Sequence, residues 1–219
     1  MIQLNNVTLI AVTSIKIQEH ISALMHSMRG IKFAETKLVT SEEVVSQMPG
    51  IKIEKCRKLD YVDYSRFCIY DLYKHVDTDF CMLIHHDGFV VRPDKWEESF
   101  LDYDYIGAPW PVKNDAYISP FGEHIRVGNG GFTIRSKKLL NVPNHHDVVF
   151  EVNTGDFYKH MNAGSYNEDG CICVHNKHVY EAAGCKFAPV ALAARFSQET
   201  QVPETEGIYS FGLHKHLKL

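Results

Sequence analysis

The stretch that decides the fold is CMLIHHDGFVVRP, residues 81–93. Its first four residues are apolar, which predicts a β-strand buried on both faces, as in a parallel sheet. His85, His86 and Asp87 follow directly, and the next residue is a glycine. In open α/β sheets, ligands bind beyond the carboxyl ends of such strands. We therefore expect a binding site around Asp87.

Strands and helices alternate before this stretch. Apolar residues recur at helical spacing in residues 20–30, which end on a glycine, and in residues 60–76, where Asp60 is placed to cap the helix. Strands are predicted at residues 7–12, 33–39, 51–53 and 81–84, and Ser41 is predicted to cap a short helix after the second of them. This order is typical of an α/β protein with a Rossmann-like, mostly parallel central sheet and helices on both faces.

The second half of the chain has a different pattern. Proline and glycine become frequent, and the alternation in RVGNGGFTIRS, residues 126–136, predicts antiparallel or mixed strands. Residues 168–183 are predicted to form one helix that ends at Gly184. From Ala194 onward the chain is predicted to be irregular.

The composition limits the class of protein and its partners. The 219 residues are 45% hydrophobic and 23% charged, as in an ordinary globular protein, and one domain is the simplest interpretation. The formal net charge of −4 disfavours nucleic acid as a partner. The chain has neither an apolar run near the roughly 20 residues of a membrane span nor the pattern of a secretory leader at its start. We expect a cytoplasmic protein with its six cysteines reduced.

Asp87 and its neighbouring imidazoles are candidate metal ligands. A carboxylate with one or two histidines offers a mixed oxygen and nitrogen donor set, which suits Mn²⁺ or Mg²⁺ with water and phosphate oxygens completing the shell. The alternative is a plain Asp-Gly turn whose histidines are satisfied by backbone groups.

The GNGG segment, residues 128–131, allows a close backbone approach. Its main-chain N–H groups are candidates to contact a sugar or a diphosphate. The alternative is an ordinary hairpin turn, for which Asn-Gly is the strongest short-range signal.

Two carboxylates begin the predicted helix of residues 168–183. A carboxylate at a helix N-terminus is held ionised, which is the state in which a general base starts, so Asp169 and Glu168 are candidate bases; simple capping is the alternative. Zinc binding by Cys171 and Cys173 is disfavoured, because helical positions two apart point to nearly opposite sides.

Two further side chains have open interpretations. Arg66, at the start of a helix, can pair with phosphate oxygens or with a nearby carboxylate. Trp110 can stack on a sugar or pack in the core.

Seven motifs occur in a characteristic order along the chain. They are DYSRF, HHDGFVV, YDYIGAPW, GNGGFTIRS, the ED of NEDGCIC, KFAPVALAARFSQE and FGLH. Together they resemble a family of glycosyltransferases of the GT-A fold found in bacteria and large viruses. The resemblance spans roughly residues 60–215, and the ordered series is far more specific than any single motif.

This resemblance implies transfer of a sugar from a nucleotide-sugar donor, with a UDP-sugar favoured, to a glycan or another hydroxyl acceptor. It also implies a divalent metal at an Asp-x-Asp-type motif. Asp87 matches the second aspartate of that motif, His85 replaces the first, and His214 matches a histidine near the C-terminus that supplies another ligand. Asp169, or else Glu168, would be the base of a reaction for which inversion is favoured.

The resemblance further implies which residues bind the donor. The nucleotide base and ribose would lie near the end of the first strand, and the GNGG and APW segments would shape the donor-sugar and acceptor pockets. The donor-binding residues implied are Ala11, Thr13, Ser14, Arg66, His85, His86, Trp110, Gly130 and Gly131.

The chain is thus expected to divide into a nucleotide-binding half, residues 1–92, and a half that binds the acceptor and completes the metal site, residues 93–219. Two alternatives from other classes stay open. One is a non-catalytic nucleotide-sugar-binding module, and the other is a metal-dependent phosphoester hydrolase or nucleotidyltransferase. The sequence leaves the oligomeric state open.

Overall fold

The computed structural model of the protein describes residues 1–44, 49–112, 117–150 and 167–215. These residues form nine strands in two sheets. The strands are β1 (Ile2–Thr13), β2 (Ile31–Thr40), β3 (Lys52–Lys55), β4 (Phe80–Ile84), β5 (Gly88–Val90), β6 (Tyr105–Ile106), β7 (Phe132–Ser136), β8 (Ser197–Gln198) and β9 (Gly212–His214).

The central sheet has six strands in the order β3-β2-β1-β4-β7-β6. The pairs β2–β3, β1–β2 and β1–β4 are parallel, whereas β7 runs antiparallel to both β4 and β6. The predicted mostly parallel sheet with a mixed second half is therefore confirmed.

Helices cover both faces of this sheet. The helices are α1 (Ile17–Ser27), α2 (Tyr61–Tyr70), α3 (Lys137–Asn141), α4 (Glu168–Gly170), α5 (Lys177–Ala182) and α6 (Val190–Phe196), with short 3₁₀ turns at Leu72–His75, Pro93–Lys95, Glu98–Asp102, Val142–Asn144 and Pro203–Thr205. Alternate residues of β1 point to opposite sides: Leu9 packs in the core that contains α1, and Ile10 packs in the core that contains α2. Asp60 caps α2 as predicted, since its carboxylate accepts the Asp63 N–H at 2.8 Å. Among the described residues, no helix is both long enough and apolar enough to cross a bilayer.

Two predictions of helices are wrong. Residues 41–44 are not helical, because the Ser41 hydroxyl donates across to the Ser14 hydroxyl at 2.9 Å instead of capping a helix; residues 45–48 lie outside the described residues. The helix predicted at residues 168–183 is divided into α4, a π-helical turn at Cys171–His175, and α5. Asn176 makes this break, because its side-chain amide donates to the Cys171 carbonyl oxygen at 3.1 Å and to the Val149 carbonyl oxygen at 2.9 Å.

The chain after Ala194 is regular in part, contrary to prediction. It completes α6 and forms β8 and β9, which join β5 in a three-stranded sheet in the order β5-β9-β8. β9 pairs antiparallel with β5, with His214 opposite Gly88. This pairing brings the C-terminal segment to the carboxyl end of β4.

A buried ion pair ties the central sheet to α4. Arg135 of β7 is fully buried, and its guanidinium lies 3.1 Å from Glu168 Oε1, whose residue is also buried. The same guanidinium lies over the Tyr105 ring, 5.4 Å from its centroid. Since Glu168 begins α4, this pair fixes where Asp169 lies relative to the sheet.

We expect Arg135→Met to destabilise the fold, because the change leaves Glu168 as an uncompensated buried charge, at a cost of about 3–5 kcal/mol. The double variant Arg135→Met, Glu168→Met removes both charges and should recover most of that loss. Urea unfolding of the wild type and both variants measures the free energies. A single-variant loss below about 1 kcal/mol, the value for an exposed pair, would contradict the assignment.

Candidate active site

Three side chains meet beyond the carboxyl end of β4. His85 and Asp87 lie in the turn between β4 and β5, and His214 ends β9. One ligand atom from each of the three lies within 4.8 Å of the others. The structure thus brings together the three residues predicted to bind a metal. Asp87-Gly88 is indeed a turn, closed by the Gly88 N–H on the His85 carbonyl at 3.2 Å, but the turn also presents ligands.

Glycines make this convergence possible. A Cβ on Gly131 would lie 2.0 Å from His214 Nε2, and a Cβ on Gly88 would lie 2.1 Å from the Gly131 carbonyl oxygen. The His85 N–H donates to that carbonyl at 2.9 Å. The close backbone approach expected of the GNGG segment is therefore present, and it is made against the histidine of the site.

The N–H groups of this segment have partners within the protein. Gly130 donates its N–H to Asp169 Oδ2 at 3.1 Å, and Gly131 donates to the side-chain oxygen of Asn129 at 2.9 Å. Asn129 itself has a positive φ of 69°. The expectation that the N–H groups of Gly130 and Gly131 bind a sugar or diphosphate is corrected, because they bind Asp169 and Asn129 and leave the glycines to act by packing.

The three candidate ligands differ in protonation. Hydrogen bonding with His214 and the neighbouring imidazoles hold the pKa of Asp87 well below its usual range, despite partial burial. Burial lowers the pKa of His85 to about 3, so its ring is neutral and one of its two nitrogens carries a lone pair. Burial acts to lower the pKa of His214, but contacts with Asp87 and Glu199 outweigh burial and raise it to about 9. A cation at this position would take the place of a His214 proton.

The donor set fits a divalent metal ion. Two imidazoles and one ionised carboxylate converge. Few binding partners other than a cation or protons can satisfy three such acceptor groups at once. The residues that would hold the ion are His85, Asp87 and His214.

Two residues that the sequence reasoning missed contact these ligands. The Tyr64 hydroxyl hydrogen-bonds His85 Nε2 at 2.6 Å, and Glu199 Oε1 lies 3.4 Å from His214 Nδ1. Both residues stand within motifs of the ordered series, Tyr64 in DYSRF and Glu199 at the end of KFAPVALAARFSQE. That membership is the only sequence signal for them, because both contacts depend on tertiary packing.

His86 lies between Asp87 and the start of α1. Its Nε2 lies 2.9 Å from Lys16 Nζ, its ring centroid lies 5.3 Å from that of His20, and its Nδ1 lies 3.6 Å from Asp87 Oδ1. His86 is therefore a neighbour of the candidate metal ligands, placed at the rim with Lys16.

The residues predicted to contact the nucleotide lie at the end of β1, next to β4. Ala11 is fully buried in the core, so its side chain does not line the site, which corrects that prediction. The Thr13 hydroxyl donates to the Ile15 carbonyl at 2.5 Å, and the Ser14 hydroxyl accepts the Leu59 N–H at 2.8 Å. Thr13 and Ser14 thus shape the chain at this edge. Arg66 lies on α2 with its guanidinium 4.9 Å from the Phe150 ring centroid, and its contact with a donor stays a prediction.

The two acidic residues of α4 have different environments. Glu168 forms an ion pair with Arg135. Its Oε1 lies so close to Gly130 that a Cβ added there would be only 1.7 Å away. Asp169 is partly exposed, accepts the Gly130 N–H, and accepts the Gly170 N–H at 2.8 Å. Burial of its carboxyl group, followed by the charge of Glu168, raises the pKa of Asp169 to about 7. The expectation that the helix N-terminus holds it ionised is corrected, since burial outweighs that effect.

Trp110 is a core residue, which corrects its prediction as a donor-binding residue. Its side chain is buried and stacks on Tyr117 with ring centroids 4.0 Å apart and an interplanar angle of 10°. A Cβ on Gly128 would lie 1.9 Å from the indole. The ring is thus enclosed by Tyr117 and the GNGG segment, and its packing stabilises that segment.

All six cysteines are free thiols, as expected. The Cys171 thiol donates to the Val149 carbonyl oxygen at 3.6 Å, a packing role. Among the described residues, the only group of three or more potential metal ligands is the one at Asp87.

A cavity of about 440 Å³ lies elsewhere, between residues 123–127 and 187–190. It contains none of the predicted site residues, and its cations are paired: Arg126 with Glu204 at 3.0 Å and Lys177 with Glu181. The candidate active site is therefore the open region at Asp87.

Solved glycosyltransferases share this fold. An active-site mutant of LgtC superposes with a TM-score of 0.56 at 11% identity, over 95% of this chain and 86% of that chain. The galactosyltransferase LgtC in complex with donor and acceptor sugar analogues superposes with a TM-score of 0.53 at 10% identity, over 96% and 87% of the two chains. The fold is that of the GT-A glycosyltransferases, and the fold expected from the sequence resemblance is confirmed.

The chain belongs to the family described as "Protein of unknown function (DUF5672)", which matches residues 53–214. That match contains Asp87, Asp169 and His214. No curated protein matches the chain significantly. The bifunctional IspDF from Campylobacter jejuni superposes with a TM-score of 0.47 at 13% identity, over 84% of this chain and 48% of that chain, a likeness too weak to support an argument.

We expect Gly131→Ala to displace the His214 ring, because the added methyl group has no room beside Nε2. The overpacking should cost about 1–3 kcal/mol of stability and weaken the binding of divalent cations. Gly170→Ala is the matched control, since a Cβ there meets nothing within 4 Å and φ is not positive. Thermal unfolding and calorimetric titration measure both effects, and equal cation affinity in the two variants would argue against the site.

Proposed function

We propose that the protein is a metal-dependent glycosyltransferase that moves a sugar from a nucleotide-diphosphate sugar, with a UDP-sugar favoured, to a hydroxyl group of a glycan or another acceptor. The observation that carries the proposal is the convergence of His85, Asp87 and His214 at the end of β4. It occurs in a chain that shares its fold with LgtC, a galactosyltransferase solved with donor and acceptor sugar analogues.

Mn²⁺ or Mg²⁺ is the proposed cofactor, held by His85, Asp87 and His214. Mn²⁺ is the better match, because imidazole is a weak ligand for Mg²⁺ and this site offers two imidazoles to one carboxylate. When bound, such an ion supplies Lewis-acid stabilisation of the negative charge on the leaving nucleotide diphosphate.

Asp169 is the proposed base. Its raised pKa of about 7 makes it an effective proton acceptor near neutral pH, and the residue keeps partial exposure. Glu168 is the weaker candidate, because its carboxylate is buried against Arg135. A single base opposite the leaving group favours inversion of the sugar.

The remaining groups bind and orient the donor in this proposal. Thr13 and Ser14 shape the edge for the base and ribose, and Arg66 and His86 supply polar contacts to the diphosphate. Residues 1–92 are the nucleotide-binding half, and residues 93–219 bind the acceptor and complete the metal site.

A panel of nucleotide sugars tests the function, with Mn²⁺ present and with a broad set of glycan acceptors. We expect nucleotide release that depends on an acceptor, together with a glycosylated product. Binding without turnover on every acceptor would identify a binding module, and hydrolysis of a phosphoester without sugar transfer would identify a hydrolase or nucleotidyltransferase.

We expect Asp87→Ala to weaken metal-dependent donor binding strongly while the fold stays intact. The change removes the one anionic ligand, so UDP affinity with Mn²⁺ should fall by about 100-fold, or about 2.7 kcal/mol. Calorimetric titration of UDP with and without Mn²⁺ measures this, with the exposed Asp94→Asn as control. Unchanged affinity in Asp87→Ala would count against the site.

We expect Asp169→Asn to lower kcat by about 10²–10⁴-fold with little change in donor affinity. Because the pKa of Asp169 is raised to about 7, the wild-type base is protonated below that pH, so kcat should rise between about pH 6 and 8 and then level off. Burial and then the charge of Glu168 raise the pKa of this carboxyl group, and Arg135 lowers it. Equal losses of kcat and donor affinity in Asp169→Asn would indicate a structural role instead.

A further inference from the structure

Glu199 lies beside the candidate metal ligand His214, although the two residues come from different parts of the chain. It follows β8, which pairs in parallel with β9 so that Gln198 lies opposite Leu213. The next residues along the two strands are Glu199 and His214, so the register brings their side chains together. The Glu199 side chain is only 11% exposed.

The two ring nitrogens of His214 face two different carboxylates. Nε2 lies 3.5 Å from Asp87 Oδ1, and Nδ1 lies 3.4 Å from Glu199 Oε1. His214 Nδ1 is buried and makes no hydrogen bond of good geometry with any of the described residues. Glu199 is the nearby carboxylate that this nitrogen faces, and it is not a member of the candidate metal cluster.

A neutral imidazole carries one proton, and the nitrogen without it is the one that can bind a metal. A histidine that binds a metal usually donates its other N–H to a carboxylate or carbonyl, which fixes the tautomer and makes the ligand more basic. In this site Asp87 stands on the Nε2 side and Glu199 on the Nδ1 side. The arrangement leaves Nε2 for the cation.

We propose that Glu199 is a positioning residue that accepts the Nδ1 proton of His214 and thereby directs the Nε2 lone pair toward the metal position at Asp87. The inference rests on the metal site of the proposed function. It assigns a role to a residue outside the predicted site, and it makes the affinity for the metal depend on a carboxylate that does not touch the metal.

Lys215 provides the competing explanation for Glu199. The Lys215 Nζ lies 2.5 Å from the same Oε1 of Glu199, and the backbone N–H of Lys215 donates to the Asp87 carbonyl oxygen at 2.9 Å. Glu199 could therefore serve only to anchor the Lys215 side chain at the end of β9. The two roles differ in a testable way, since Lys215→Met removes the anchor and leaves the Glu199–His214 contact in place.

The test is a titration of Mn²⁺ alone into the metal-free 219-residue chain, monitored by calorimetry and by the electron paramagnetic resonance signal of free Mn²⁺. Loss of a residue that orients a metal ligand typically costs about 10–100-fold in metal affinity. We expect that loss in Glu199→Ala and a smaller one in Glu199→Gln, which keeps a neutral acceptor. Lys215→Met should stay close to wild type.

Glu204→Gln is the matched control, because Glu204 is another carboxylate near α6 that pairs with a cation, Arg126, rather than with His214. Thermal unfolding of each variant monitors folding, and Glu199→Gln, which is nearly isosteric, keeps the test valid if Glu199→Ala unfolds.

Three outcomes overturn the proposal, and they are distinguishable. Equal Mn²⁺ affinity in Glu199→Ala and the wild type would remove the role of Glu199 and leave the metal site standing. A loss in Lys215→Met equal to that in Glu199→Ala would assign the effect to the Lys215 anchor. If the wild type itself binds no Mn²⁺, the metal-dependent function fails together with this inference.

Discussion

The candidate site depends on one steric constraint, the contact of the Gly131 backbone with the His214 ring. A side chain of any size at position 131 would occupy the volume of Nε2, and a side chain at Gly88 would occupy that of the Gly131 carbonyl. The GNGG segment, the start of β5 and the end of β9 therefore approach more closely than ordinary residues permit. Because of that approach, ligands from distant parts of the chain share one small volume with Asp87.

The same segment connects the candidate metal ligand His214 to the acidic pair. Gly130 contacts Glu168 and binds Asp169, while the next residue contacts His214. Two carboxylates with one close counter-ion, Arg135, cannot both be ionised at little cost in a buried environment. The guanidinium pairs with Glu168, and burial raises the pKa of the second carboxyl, Asp169. Packing thus separates an ion-paired acid from the proposed base, although the two are adjacent in sequence.

Local pattern was sufficient to predict the four parallel strands of the central sheet and the strand end at Asp87, because burial and strand length can be read from neighbouring residues. It was not sufficient where side chains replace regular hydrogen bonds: Asn176 divides the predicted helix, and Ser41 bonds to Ser14. Glu199 could not be assigned a role, since its contact exists only through the β8–β9 register. The role of Trp110 could not be assigned either, because a core indole and a sugar-stacking indole have the same sequence signal. His214 was placed by resemblance alone.

A histidine at position 85, where the resemblance implies an acidic residue, would change the physics of the candidate cation site. A pair of carboxylates attracts a hard ion by charge, whereas one carboxylate with two neutral imidazoles attracts it less by charge and more by nitrogen coordination. In such a site the orientation of each imidazole has more influence on affinity, because a ring with its proton on the wrong nitrogen contributes nothing. The contacts of Tyr64 with His85 and of Glu199 with His214 answer that requirement, and both side chains come from outside the turn that bears Asp87. In the proposed metal site, a histidine in place of an acid would therefore transfer part of the control of metal binding from the motif itself to the residues packed around it.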